Sequence, residues 1–548
     1  MKRRILATRR QLIGAGGIAF AFSSFRPMFP TVRAQASSNA WKAADGLRLA
    51  GPSVGLSVLD PALARDFREM SVLRQIFRGI LGFDMDLAAV PVLAKTMDVS
   101  ADARQYTFAL RQDARFHDGR AVLARDIHAS FVRALSPSIA GGDVSSLVAS
   151  SFLGGILGAR EITTGAASSL TGFEIIGERS FTISLAEPDA AFPFKLASVP
   201  ASIVDATQTQ GCEFPNGTGP YAVSGFVAGE SLDLRASESW FGETPAVLDI
   251  SFRLGIASSL PLNLFQGGEI DLIDGVPFDQ MRLLEDPASG MIMAKSIATP
   301  LFSVFYLALS TTEAPLDDIN IRRALQHAFP VARFAGANAG NVTAAEGFIP
   351  PGMLGEQWEA DLPAYDLEAA RRLIGMSAYG PAANVPPIAI YGGETSLGDP
   401  LHNVGLALKE TAGVDLGITI EPISVDWNDF ITGLPRQRFS SYSITWIADY
   451  PDPESLLAVL FESGSGENYT GYRNDAFDAL LVQARSEPAE RDRIALYRQA
   501  QQMLIDDAVL LPLFFDISYT AMRPEIAGVP VTAIGMLGLE SVYEKVSS

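Results

Sequence analysis

Tyr106-Thr107-Phe108-Ala109-Leu110-Arg111, followed by Phe116-His117-Asp118-Gly119-Arg120, is the stretch on which the reading of this chain turns. Tyr106, Phe108 and Leu110 alternate with smaller residues, a period of two that predicts a strand with one buried face. Asp118 and Gly119 predict a turn, with Phe116 held in the core. A His-Asp pair before a glycine could also orient a metal or a base. The turn reading is preferred.

Outward from this stretch the pattern alternates between strand and helix. Ala124 to Leu135 reads as an amphipathic helix, and Phe181 to Leu185 as an alternating strand. Upstream, Leu47 to Ala50 predicts a first strand entering Gly51-Pro52. Asp60-Pro61 opens a helix-like stretch through Phe67, Met70, Leu73, Ile76 and Phe77. Downstream, Asn216 to Tyr221 predicts a tight turn before a strand at Ala222-Val223. Leu301 to Leu309 is nearly continuously apolar, the pattern of a strand buried on both faces. Helices are expected at Ile319–Phe329, Asp366–Ile374 and Arg491–Leu504. Strands are expected at Ile388–Tyr391, Ile418–Ile420, Tyr442–Ile447 and Leu510–Phe515. This irregular alternation, without an internal repeat, implies an α/β protein of several lobes, neither barrel nor solenoid.

A chain of 548 residues exceeds one ordinary core and implies two or three domains. Its 48% hydrophobic and 19% charged residues suit a packed globular protein. Seven of the 42 basic residues and none of the 62 acidic ones fall in residues 1–36, so 35 against 62 remain, a formal net charge of −27. So acidic a body excludes nucleic acid as an expected partner. Cys212 is the one cysteine and there are four histidines, which leaves no disulfide and makes a multi-histidine metal site improbable. No metal site, cofactor or catalytic residue is expected.

The N-terminus reads as an address. Arg9-Arg10 precedes a glycine-diluted apolar stretch, Leu12 to Phe22, and Ala34-Gln35-Ala36 has the small-x-small form of a cleavage site. The arginine pair resembles a twin-arginine export signal, with Leu12-Ile13 departing from the commonest residues. An ordinary secretory signal is the alternative. Cleavage near Ala36 would leave a soluble periplasmic protein. Cys212 is too far along to serve as the lipid-modified cysteine of a lipoprotein.

Two further segments invite chemistry. Gly51-Pro52-Ser53-Val54-Gly55 fits the G-x-S-x-G nucleophile pattern, but Leu56-Ser57-Val58-Leu59 opens no helix after it and the only late histidine is His402. A secreted hydrolase using Ser53 is therefore a distant alternative. Trp446-Ile447-Ala448-Asp449-Tyr450-Pro451-Asp452-Pro453 ends a strand in an acidic, aromatic turn. There an aromatic plane could cover an apolar group and a carboxylate could meet a ligand ammonium.

Taken together, Leu59-Asp60-Pro61, the 106–111 and 116–120 pair, Ala124-Arg125-Asp126-Ile127, Gly217-Thr218-Gly219-Pro220-Tyr221, Ile321–Ala328, Phe348–Gly352, Trp446–Pro453 and Gly471–Asn474 are similar, in order, to the motifs of the ABC-transporter solute-binding proteins of family 5. The group includes dipeptide-, oligopeptide-, nickel- and opine-binding receptors. The helix at Ile321 departs from the family pattern at Pro330-Val331-Ala332-Arg333, where Asp-Arg is usual.

The resemblance implies a type II-like periplasmic-binding-protein fold, with two lobes joined by a hinge and an extra subdomain in the first. By analogy, lobe I is 37–83 with 206–298 and 510–548, the inserted subdomain is 84–205, and lobe II is 299–509. The implied function is extracytoplasmic capture of di- or oligopeptides for an ABC importer, without chemistry. The implied partners are a permease pair in the inner membrane and its cytoplasmic ATPases, with the receptor itself a monomer. An opine, oligosaccharide or nickel chelate is the alternative solute. Within that frame Asp449 takes the peptide α-ammonium, and the main chain at Thr445 and Ile447 extends strand-like hydrogen bonds. Trp446 and Tyr450 are expected as pocket walls.

Overall fold

The computed structural model describes residues 46–544, apart from 53–55, 65–66, 143–146, 209–212, 258–259, 277, 290, 292, 338–339, 341 and 395–399. The segment expected to be an export signal, its expected cleavage point, Ser53 and Cys212 lie outside the described residues. Among the described residues, no helix is long and apolar enough to cross a membrane.

A twelve-stranded mixed sheet organises the described residues. Its path runs Ile420–Asp426, Ile388–Glu394, Ser441–Ile447, Ser303–Leu309, Leu510–Met522, Leu272–Ile273, Leu47–Ala50, Asp249–Arg253, Ser231–Ala236 and Tyr221–Val227. Lys295–Pro300 and Val342–Ala344 pair with the Leu510–Met522 strand beside this path. Every residue of Ser303–Leu309 is buried, as its unbroken apolar run requires.

The Leu510–Met522 strand is longer than the 510–515 run expected for it. Its apolar first half pairs with Ser303–Leu309, and its polar second half pairs with Lys295–Pro300. Pro512 sits where the register shifts between Phe305 and Tyr306, an irregularity that tolerates a residue lacking an N–H. The expected 418–420 strand also moves. Gly417 closes a short helix at positive φ, and the strand runs from Ile420 to Asp426.

The chain passes between the two halves of the sheet twice, side by side. Leu301 donates its N–H to the Asp516 carbonyl at 2.9 Å, and the Ser303 hydroxyl donates to Asp516 Oδ2 at 2.9 Å. Burial pushes the Asp516 carboxyl up to about 6, partly countered by Ser303. On the far side, the fully buried Asp271 accepts from Arg48 Nη2 at 2.7 Å and Arg523 Nε at 2.8 Å, tying three strands together.

A second, four-stranded sheet is ordered Ala94–Val99, Gln105–Leu110, Ser180–Ser184, Phe173–Gly177. Tyr106, Phe108 and Leu110 are its buried alternates, as their spacing requires. With the Ala124–Leu135 helix they build a core of their own, in which Phe181 stacks on Phe108 at 5.4 Å and on Phe173 at 4.8 Å.

Phe116 is buried in this core and Gly119 takes φ +84°. His117 is a structural clasp. Gly217 donates its N–H to Nδ1 at 3.2 Å, so Nε2 carries the proton and donates to the Gly219 carbonyl at 3.1 Å. Burial pushes the imidazole pKa down, which keeps this neutral tautomer. The glycines follow from close approach, since a Cβ on Gly217 would lie 2.1 Å from the Ile76 carbonyl oxygen and one on Gly219 2.3 Å from that of Gln75.

Candidate ligand-binding site

The Ser441–Ile447 strand reads Ser-Tyr-Ser-Ile-Thr-Trp-Ile, rich in the β-branched and aromatic residues that favour a pleated surface. Tyr442 and Ile444 are buried in the large core, and Trp446 packs against it on the same face. The Trp446 indole N–H is buried with no hydrogen-bond partner among the described residues.

The ladder fixes which main-chain groups are used. Ala448 donates to the Phe302 carbonyl and Ser310 to the Ser440 carbonyl, each at 2.8 Å. With Ser303 opposite Ile447 and Leu309 opposite Ser441, the even-numbered residues of the strand bond to Ser303–Leu309. Thr445 and Ile447 therefore aim their N–H and C=O groups at the other edge. There the Ile388–Glu394 strand pairs only with Tyr442 and Ser443. Among the described residues, the edge at Thr445 and Ile447 is open.

Asp449 follows directly. It is half-buried, and its carboxylate makes no hydrogen bond or ion pair among the described residues. Burial raises its pKa to about 7, reinforced by the negative charges of Glu467 and Glu454. A cation arriving at the strand end would reverse that shift. Tyr450 lies elsewhere. It is 3% exposed, its hydroxyl donates to Glu454, and its ring meets Phe152 edge-on at 6.3 Å inside the second core. The structure thus brings Thr445, Trp446, Ile447 and Asp449 together and assigns Tyr450 to packing, with no open surface to serve as a pocket wall.

A cavity of about 330 Å³ lies on the other side of the double crossing, and nothing in the sequence reading pointed to it. It sits at the C-terminal ends of Leu47–Ala50 and Leu272–Ile273, with Gly51, Phe252, Arg68, Asp274 and Gln280 in its wall. Asp274 accepts from Thr520 Oγ1 at 2.9 Å, and burial raises its pKa. Its one sequence signal is an acidic residue before a glycine at the end of an apolar pair. Thr520 lies four residues along its strand from Asp516, about 13 Å. Asp516 takes the Ser303 hydroxyl, and Ser303 is paired with Ile447. The open edge and the cavity therefore flank the crossing from opposite sides. Among the described residues, no group of three or more His, Cys, Asp or Glu is placed to hold a metal.

Residues 88–468 match the family model of the bacterial extracellular solute-binding proteins, family 5. The chain belongs to that family. This family 5 chain is 24% identical to the periplasmic oligopeptide-binding protein OppA of Escherichia coli, over 86% of its own length and 87% of the relative's. It is 27% identical to a probable di/tripeptide-binding protein of Pseudomonas aeruginosa, over 83% and 87%. Among solved structures, the unliganded open form of the murein tripeptide-binding protein MppA superposes with a TM-score of 0.74 at 23% identity, covering 92% of this chain and 98% of that one. The Helicobacter pylori protein DppA in complex with the peptide STSA gives 0.72 at 21% identity, covering 91% and 98%. The family 5 chain therefore has the type II-like periplasmic-binding-protein fold.

Proposed function

We propose that this family 5 chain is the extracytoplasmic solute-binding subunit of an ABC importer, that it captures peptides, and that it performs no chemistry on them. One observation carries the ligand class. Among the described residues, an open strand edge at Thr445 and Ile447 leads into Asp449, a shielded carboxylate without a cation. An extended peptide satisfies both at once, its backbone pairing with the edge and its α-ammonium with Asp449. Such recognition reads main chain and tolerates varied side chains. Trp446 closes the core side of the strand.

In this reading the double crossing at Leu301–Ser303 and Asp516 is the hinge between a first lobe (37–83, 206–298, 516–548) and a second (299–515), with 84–205 inserted in the first; the boundary expected at 510 moves to 516 because Leu510–Phe514 pairs with Ser303–Leu309 of the second lobe. Closure about it would bury the ligand and present a new surface to a membrane permease pair coupled to ATPases. The receptor works as a monomer in the periplasm, exported through the twin-arginine pair and cleaved near Ala36. The names of the oligopeptide- and di/tripeptide-binding relatives support the class.

The test uses protein from residue 37 onward, stripped of carried-over ligand by unfolding and refolding. Thermal shifts are recorded against di- to pentapeptides, opines, oligosaccharides and nickel–histidine. A ligand at about 100 times its Kd stabilises by about 2.7 kcal/mol. Shifts with free peptides that vanish on N-acetylation are expected. A shift with a sugar, opine or chelate and none with peptides would overturn the ligand class.

A further inference from the structure

Between the second core and the loop that carries Asp449 lies a buried charge cluster that the peptide reading does not use. Lys195, on the Phe192–Ala197 helix, is 9% exposed. Its Nζ lies 2.8 Å from Asp189 Oδ2 and 3.1 Å from Glu454 Oε2, and 5.4 Å from the centre of the Tyr450 ring. Glu454 is 4% exposed and opens the Glu454–Phe461 helix, where the helix dipole also favours an acid. It takes Arg485 Nε at 3.1 Å and the Tyr450 hydroxyl. Arg485 pairs in turn with Glu462 at 2.6 Å, and its carbonyl accepts the Ala190 N–H at 2.9 Å. Lys195 and Arg485 hold the Glu454 carboxyl below its usual range despite the burial.

The topology makes this cluster more than packing. Asp449 and Glu454 are the two ends of one short loop. The upstream end is fixed by the Ala448 bond to Phe302. The downstream end is fixed by Glu454, whose partner Lys195 comes from a different layer of the molecule, and Tyr450, the residue after Asp449, sends its ring into that layer's core. Buried charges of this kind hold only while each keeps its partner, because an unpaired one is costly. The four-stranded layer therefore clamps the loop that aims the candidate ammonium anchor.

We infer that Lys195 is a positioning residue for ligand capture. By holding Glu454 and Tyr450 it sets the place of Asp449 without touching the ligand, and it makes affinity for a free amino terminus depend on contact between the four-stranded layer and the 449–454 loop. This rests on the peptide reading above.

The test compares Ala-Ala-Ala with its N-acetylated form by calorimetry, in the parent protein, Lys195→Met, Lys195→Arg and the nearly isosteric Glu454→Gln. For Lys195→Met the Kd of the free tripeptide is expected to rise by about tenfold. The acetylated form should change by less than about twofold, so preference for the free amine shrinks. Glu454→Gln should move the same way and Lys195→Arg should restore most of the preference. A purely structural role would lower the melting temperature and leave the ratio of the two Kd values unchanged. That result in both Lys195→Met and Glu454→Gln overturns the inference alone. A parent protein with no preference for the free amine overturns it together with the peptide reading.

Discussion

With Asp449 as the proposed anchor for the peptide α-ammonium, peptide affinity is expected to fall steeply as the pH drops from 7 to 5. Without ligand its carboxyl titrates near 7, because burial and two neighbouring carboxylates oppose its charge. An ammonium bound against it stabilises the charged form and is expected to draw the pKa back toward the ordinary carboxylate value of about 4. Binding then expels a proton whenever the free site is protonated. At pH 7 half of the sites carry one, and at pH 5 nearly all do. Linkage puts the loss of affinity between these pH values at roughly fiftyfold, or about 2.3 kcal/mol. Calorimetry in two buffers of different ionisation enthalpy should show about half a proton released per peptide at pH 7. Asp516 also titrates near 6, so the control is Asp449→Asn, which removes the Asp449 component and leaves Asp516 in place. At pH 7 this variant should weaken a free peptide by about 2–5 kcal/mol, the cost of stranding a buried ammonium. Affinity constant from pH 7 to 5, or a slope as steep in Asp449→Asn as in the parent, would refute the reasoning.

The same shift acts on stability with the opposite sense. A folded-state pKa raised from 3.8 to about 7 means the ligand-free protein loses stability as pH rises through 7, so Asp449→Asn should melt higher than the parent at pH 8 and equal to it near pH 4. Gly217→Ala and Gly219→Ala should each cost at least about 2 kcal/mol in urea unfolding, because the added methyl meets a main-chain carbonyl that cannot retreat. Asp271→Ala removes the buried acceptor of Arg523, while Arg48 stays largely in water, and should cost about 1–3 kcal/mol by the same assay. His117→Ala strands the Gly217 N–H and Gly219 carbonyl and should cost about 1–3 kcal/mol, checked by thermal melting.

Elements carried by local rules were legible in the chain itself. The alternation at 105–110, the amphipathic 124–135 helix, the all-apolar 303–309 strand and the Gly217–Tyr221 turn are each decided by spacing and backbone chemistry within a few residues. The ordered motifs were enough to point to the family. What the sequence could not determine depends on partners distant along the chain. The stretch Ile517–Met522, outside the expected apolar run, is strand where Lys295–Pro300 lies beside it. Tyr450 sits one residue from Asp449, yet it turns into the core built from residues 62–203. The cavity wall joins Arg68 to Asp274, and the Lys195–Glu454 pair spans 259 positions. Pairing across such distances follows from how sheets and cores close on one another, and no local pattern of residues encodes that closure.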